Sequence, residues 1–153
     1  MIEPEVPMEQ SETSTVYRRY LSALMAHGQA GARAVDLGAT DLYALNILEL
    51  GGPMTPGELG ARAGLTTGPT TRLVDRLEEA GYVRRVPVPG DRRKITVKLV
   101  ETPAELDRVL APARRRVGEI IAGYAPEQRE LLFDYFCKAA DAYFEATEEL
   151  RAD

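Results

Sequence analysis

The feature that most constrains this chain is a single change of hydrophobic period between Thr55 and Leu99, punctuated by glycines. Thr55-Pro56-Gly57-Glu58 sets a threonine three residues before a glutamate with proline at the first helical position, an arrangement that satisfies the open amides of a helix start. It predicts a short helix reaching about Ala63, with Gly64 supplying a sharp turn. Thr66 can cap the next helix, which tolerates Pro69 in its first turn, carries Leu73, Val74 and Leu77 inward with Thr70, and ends before Gly81. The period then becomes two. Lys94-Ile95-Thr96-Val97-Lys98-Leu99 alternates strictly, as a half-buried strand does. Tyr82 to Val86 can pair with it, because Pro87-Val88-Pro89-Gly90-Asp91 between them is turn-forming.

The flanks read as helices. Residues 1–10, with two prolines and three glutamates, predict a disordered arm before a helix over 11–34 with Tyr17, Tyr20, Leu21 and Leu24 apolar. Thr40 opens a second helix, with Asp41 in its positive first turn, Leu42, Leu45 and Leu48 inward, and Gly51-Gly52 at its end. Thr102-Pro103-Ala104-Glu105 repeats the capping pattern and launches a long helix with Leu106, Val109, Leu110, Val117, Ile120 and Ile121 on one side and a bend expected at Pro112. Ala125-Pro126-Glu127 starts the last helix, whose apolar stripe is Leu132, Phe136, Ala139 and Tyr143. The fold class is therefore mainly α with a small β-hairpin wing (α+β). A winged helix-turn-helix over 40–100 would place its second helix in a DNA major groove, and 11–36 with 103–150 form a helical dimerisation region. At 153 residues the chain is about one folding unit long. The outer helices have apolar stripes and no sheet left to cover, so a second copy of the chain is the economical partner to bury them, the alternative being that all three helices pack on the head of their own chain.

Composition narrows the function. No apolar run approaches the roughly 20 residues of a bilayer span, and the acidic N-terminus lacks the basic start of a signal peptide, which reads as a cytoplasmic protein with no membrane role. One cysteine, Cys137, makes no internal disulfide, and one histidine, His27, assembles no zinc site, so neither cofactor nor metal is expected. The head offers no histidine, cysteine, nucleotide loop or paired acid motif, which speaks against an enzyme. The formal charge of −5 is unevenly spread. Residues 56–100 hold nine lysines and arginines against five acids, net +4, and the remainder holds ten against nineteen, net −9. An acidic body with one basic face draws phosphates to that face.

Burying Thr70, Leu73, Val74 and Leu77 leaves Gly68, Thr71, Arg72, Asp75 and Arg76 outward. Thr66, Thr67 and Thr71, with the amides of the helix start, can bond phosphates, Gly68 lets backbone approach closely, and Thr70 completes the set on that helix. Arg72 or Arg76 could fork onto a guanine edge, or instead pair with Asp75, Glu78 or Glu79. An apolar outer face would have indicated the alternative, a winged-helix protein–protein interaction module without DNA binding. The face here is threonine, glycine and arginine.

The run Leu59-Gly60-Ala61-Arg62-Ala63-Gly64-Leu65-Thr66, then Thr71 to Glu78, Gly81-Tyr82-Val83-Arg84-Arg85 and Asp91-Arg92-Arg93, resembles the MarR family of transcriptional regulators. The resemblance covers the head closely and the flanking helices in layout. It departs after the wing, where Leu99-Val100-Glu101-Thr102-Pro103 stands in place of the family's Leu-Thr-x-x-Gly. It implies a sequence-specific regulator of double-stranded DNA, a repressor released by a small ligand, binding a palindromic operator as a homodimer. It further implies that Asp91 orients an arginine, here Arg93, that enters the minor groove, with Arg92 and Lys94 on phosphates. Ligands of the family lodge between the dimer helices and the head. Tyr17, Arg18, Arg19 and Tyr20 could line such a pocket, and would suit a small aromatic acid as effector.

Overall fold

The structure, a computed structural model, describes residues 10–100 and 104–152. Its elements in order are α1 (Gln10–Ala34), α2 (Ala39–Gly51), α3 (Pro56–Ala63), α4 (Thr67–Glu79), β1 (Val83–Val88), β2 (Asp91–Leu99), α5 (Ala104–Ala122) and α6 (Pro126–Ala152). The expected arm lies outside the described residues except for Gln10, which already belongs to α1, and Thr102-Pro103 of the second capping sequence lies outside them too.

The helix-turn-helix forms as its caps dictate. Thr55 Oγ1 accepts from the Glu58 N–H at 3.2 Å while the Thr55 N–H donates to Glu58 Oε2 at 2.7 Å, so both ends of the box close. Gly64 takes the left-handed conformation at φ 70°, where a side chain would be strained, and turns the chain into α4. The start of α2 differs from expectation. Thr40 is not its cap: the helix begins at Ala39 behind Gly38, and Asp41 Oδ2 accepts the Gly38 N–H at 3.0 Å. The aspartate reaching back from the third helical position substitutes for the side chain that a glycine cap lacks. Leu45 and Leu48 are buried as the pattern required, joined by Ala44 and Ile47, while Leu42 is half-buried.

The hairpin is longer than its sequence suggested. The five-residue turn contracts to Pro89-Gly90, with Gly90 at φ 86°, and Val88 pairs with Asp91. Pro87 joins the ladder because a two-stranded ribbon offers edge positions that need no donor. Pro87 then faces Ile95, so the register passes over Arg92, Arg93 and Lys94, which bulge from the tip without cross-strand partners. At the other end Met54 bridges Val97 through two backbone hydrogen bonds of 3.2 and 2.7 Å, adding a short third edge to the sheet. Leu59, Leu73, Val74, Leu77, Val83 and Val97 are fully buried between α3, α4 and the hairpin. At about 1.5 to 3 kcal/mol per buried aliphatic side chain, this cluster is the main source of the head's stability.

Where the sequence suggested one folding unit, the chain divides into two compact units, one ending at Val109 and the other running from Leu110. The first contains α1, whose Ala32 is buried, the head, and the start of α5 with Leu106 buried. The second has no comparable core. α5 runs unbroken through Pro112, α6 contains no buried residue, and Val117, Ile120, Phe133 and Phe144 are each more than half exposed. The predicted α6 stripe is likewise open: Leu132 and Ala139 are half-buried, and Phe136 and Tyr143 are exposed. Among the described residues no helix is long and apolar enough to cross a membrane.

Candidate nucleic-acid interface

The outer face of α4 follows from its inner one. With Leu73, Val74 and Leu77 in the core, Thr66, Thr67, Gly68, Thr71, Arg72, Asp75 and Arg76 are all exposed. Thr66 stands at the cap but makes no side-chain bond to the helix, so the first-turn amides remain available to an anion. Thr71 Oγ1 donates to the Thr67 carbonyl at 3.0 Å, which fixes its hydroxyl and leaves its lone pairs outward.

One expected DNA contact is corrected here, and a second has a protein partner other than those expected. Thr70 is only 4% exposed, donates its hydroxyl to the Thr66 carbonyl at 2.8 Å, and lies against Gly60 of α3, so it is a packing residue and not part of the surface. Its place on the face of Leu73 and Leu77 dictates this. Arg76 does not reach Asp75, Glu78 or Glu79: its Nη2 donates to Asp41 Oδ1 of α2 at 2.6 Å. Its side chain is 56% exposed against 8% for that of Asp41, so the pair reads as a tether of α4 to α2. Asp41 thus serves two donors, the Gly38 amide and Arg76. Asp41→Ala would strand both, and a loss of about 1 to 2 kcal/mol in denaturant unfolding is expected. A midpoint equal to that of the parent chain would contradict this account of Asp41.

A second tether escaped the sequence reading. Arg85 of β1 sends Nη2 to Asp75 at 2.6 Å, Nη1 to Glu78 Oε2, and its backbone N–H to Glu78 Oε1 at 2.9 Å. The backbone bond from Arg85 and then its side-chain bond hold the Glu78 carboxyl below the usual glutamate range, and the bond to Asp75 leads the causes that raise the Arg85 guanidinium. A carboxyl lowered in the folded state stabilises it above the unfolded value and loses that contribution only as pH falls through the lower folded value. The link to Glu78 therefore persists through the pH range where an ordinary glutamate protonates. The available signal was the spacing: an arginine on a strand directly after a helix bearing acids at Asp75 and Glu78.

At the wing tip Asp91 Oδ1 accepts the Arg93 N–H at 3.0 Å. Asp91 thus shapes the turn that carries Arg93 instead of gripping its guanidinium. Arg92, Arg93 and Lys94 are exposed, and like Arg72 they form no ion pair among the described residues. The start of α4 and the wing tip therefore present four cations outside any ion pair among the described residues, Arg72, Arg92, Arg93 and Lys94. On α1, Tyr17 is half-buried, Arg18 donates to Ser14 Oγ at 3.0 Å, and Arg19 and Tyr20 are exposed. At 100° per residue these four cannot share one face, and Tyr17 and Tyr20 form the pair that can. His27 and Cys137 are both exposed.

The comparisons agree with this layout. A family model described as the MarR family matches residues 35–94, which span α2 to the wing tip. The helix-turn-helix transcriptional regulator YcgE of Bacillus subtilis is 39% identical over 137 residues, 89% of each chain. Among solved structures, a MarR family protein from Bacillus stearothermophilus is similar with a TM-score of 0.62 at 23% identity, covering 90% of this chain and 99% of its own. A variant of S. aureus MepR bound to an oligodeoxyribonucleotide is similar with a TM-score of 0.59 at 13% identity, covering 86% and 97%. At these identities the two structures bear on the fold alone. Taken with the tethered recognition helix and the basic wing, the relatives establish that the chain belongs to the MarR family of winged helix-turn-helix transcriptional regulators.

Proposed function

We propose that this regulator binds a palindromic operator in double-stranded DNA as a homodimer and acts as a repressor released by a small ligand, with no enzymatic activity. The observation that carries the reading is the set of uncommitted cations on α4 and the wing tip, Arg72, Arg92, Arg93 and Lys94, beside a helix start with open amides. Such a surface suits phosphates and groove edges. The MepR variant, similar in fold, is bound to an oligodeoxyribonucleotide, which supports the same use. The dimer is supported by the uncovered apolar side chains of α5 and α6, which a two-fold partner would bury while setting two recognition helices about one DNA turn apart. An effector that releases DNA must prefer the DNA-free dimer, and a tenfold preference amounts to about 1.4 kcal/mol of coupling. Tyr17 and Tyr20, with Arg18 and Arg19 beside them, are the residues proposed to receive an aromatic acid.

Selection of bound fragments from random duplex DNA tests the reading. A palindrome with half-site centres about 10 base pairs apart is the expected product. Arg93→Ala and Arg72→Ala should each weaken binding to it by about 1 to 2 kcal/mol with the fold intact, and only Arg72→Ala should relax base preference. A selection that returns no preferred sequence, or variants that bind like the parent chain, would refute the assignment.

A further inference from the structure

Three charged groups on α4 are committed to other elements: Arg76 to Asp41, and both Asp75 and Glu78 to Arg85. The second arrangement is the more consequential, because it spans the two surfaces expected to touch DNA. One planar guanidinium bonds carboxylates one helical turn apart on the recognition helix, and the amide of the same residue bonds the second of them. Arg85 lies in β1, paired with Val97 in the strand whose other end carries Arg92, Arg93 and Lys94. Its side chain is 28% exposed, so its stem is packed and its head group held. The wing is otherwise a two-stranded ribbon, and such ribbons twist easily.

We propose, resting on the DNA-binding reading above, that Arg85 is a positioning residue for sequence recognition: it fixes the angle between the wing and the recognition helix by holding Asp75 and Glu78, and it offsets one of their two negative charges beside the phosphate path. The charge effect needs only a cation, whereas the fixed angle needs the guanidinium fork. A lysine supplies the same charge but a single compact head on a flexible stem, and cannot bridge Asp75 and Glu78 in one fixed plane. Charge and geometry therefore separate in one substitution.

Arg85→Lys in the full chain is the test, read against the selected operator and a random duplex at the same salt. Random-duplex affinity should stay within about twofold, since net charge is conserved, while the ratio of operator to random affinity should fall by about fivefold or more. The double variant Asp75→Asn/Glu78→Gln releases the fork from the other side and should lower the ratio in the same way. An unchanged ratio in both would overturn the proposal, and equal weakening of both duplexes in Arg85→Lys would make Arg85 a plain phosphate contact. A readout without DNA separates this inference from the binding reading. In a Cys137→Ser background, spin labels at Pro89→Cys and Glu79→Cys should give a broader distance distribution once Arg85 is lysine. The same narrow distribution in both chains would also overturn it.

Discussion

Removing residues 126–153 is expected to abolish tight operator binding, with a loss of about a hundredfold or more in affinity. The head would be untouched in sequence, so the loss would come from valency alone. Each half-site offers one recognition helix and one wing tip, a contact of a few uncommitted cations, whereas two linked heads make the second engagement intramolecular. The deleted helix carries Leu131, Phe133, Tyr143 and Phe144, all more than half exposed in the single chain and without a core of their own. Such a stripe is the surface that a second copy would cover. Sedimentation velocity should show the full chain as a dimer and the truncated chain as monomer or aggregate. A soluble truncated monomer that binds the full operator as tightly as the intact chain would refute the dimer.

Gly60→Ala should destabilise the head by about 1 to 3 kcal/mol, the cost of overpacking a filled site. A Cβ built on Gly60 would overlap Thr70 Oγ1 and come within 3.1 Å of Thr70 Cγ2 and 3.2 Å of Thr70 Cβ. The threonine cannot swing aside without breaking its bond to the Thr66 carbonyl, and α3 and α4 cannot part without opening the cluster around Leu59 and Leu73. The strain falls on the start of the recognition helix, so operator affinity should drop with stability. Adding Thr70→Ala makes room for the methyl group and should recover part of the lost unfolding free energy. A Gly60→Ala chain that unfolds at the parent midpoint would contradict this close crossing.

The sequence was most legible where local chemistry and long-range packing agree. Thr55 with Glu58 and the left-handed Gly64 are local devices, and the alternation from Lys94 to Leu99 can serve only a strand, so the head's order followed from them. The misses at the site are mostly contacts between elements distant in sequence, whereas the cap of α2, the length of the wing turn and the course of α5 at Pro112 are local ones. Asp41 caps Gly38 within its own helix start, but that it also takes Arg76, 35 positions away, depends on how α2 crosses α4, which no periodicity records. In the sequence Arg85 is only part of a family pattern, and its bonds to Asp75 and Glu78 emerge when β1 folds back on α4. The pattern allows Thr70 both an inward and an outward role, and the crossing at Gly60 decides for the inward one. Arg93 is exposed on the wing, as the hairpin pattern requires, whereas the bond from its backbone N–H to the Asp91 carboxylate depends on the register around Pro87, which the pattern does not record.

The central claim is that a basic head on an acidic chain engages the DNA backbone and grooves, and the salt dependence of duplex binding tests it most directly. If Arg92, Arg93 and Lys94 of each of two heads displace counterions, the logarithm of the association constant should fall against the logarithm of salt concentration with a slope of about −5. Replacing Lys94 with alanine should reduce that slope by about 2, one contact per head. A steep slope that shallows in this way is the predicted result. Binding that is absent at low salt, or a slope near zero that the substitution leaves unchanged, would contradict the account.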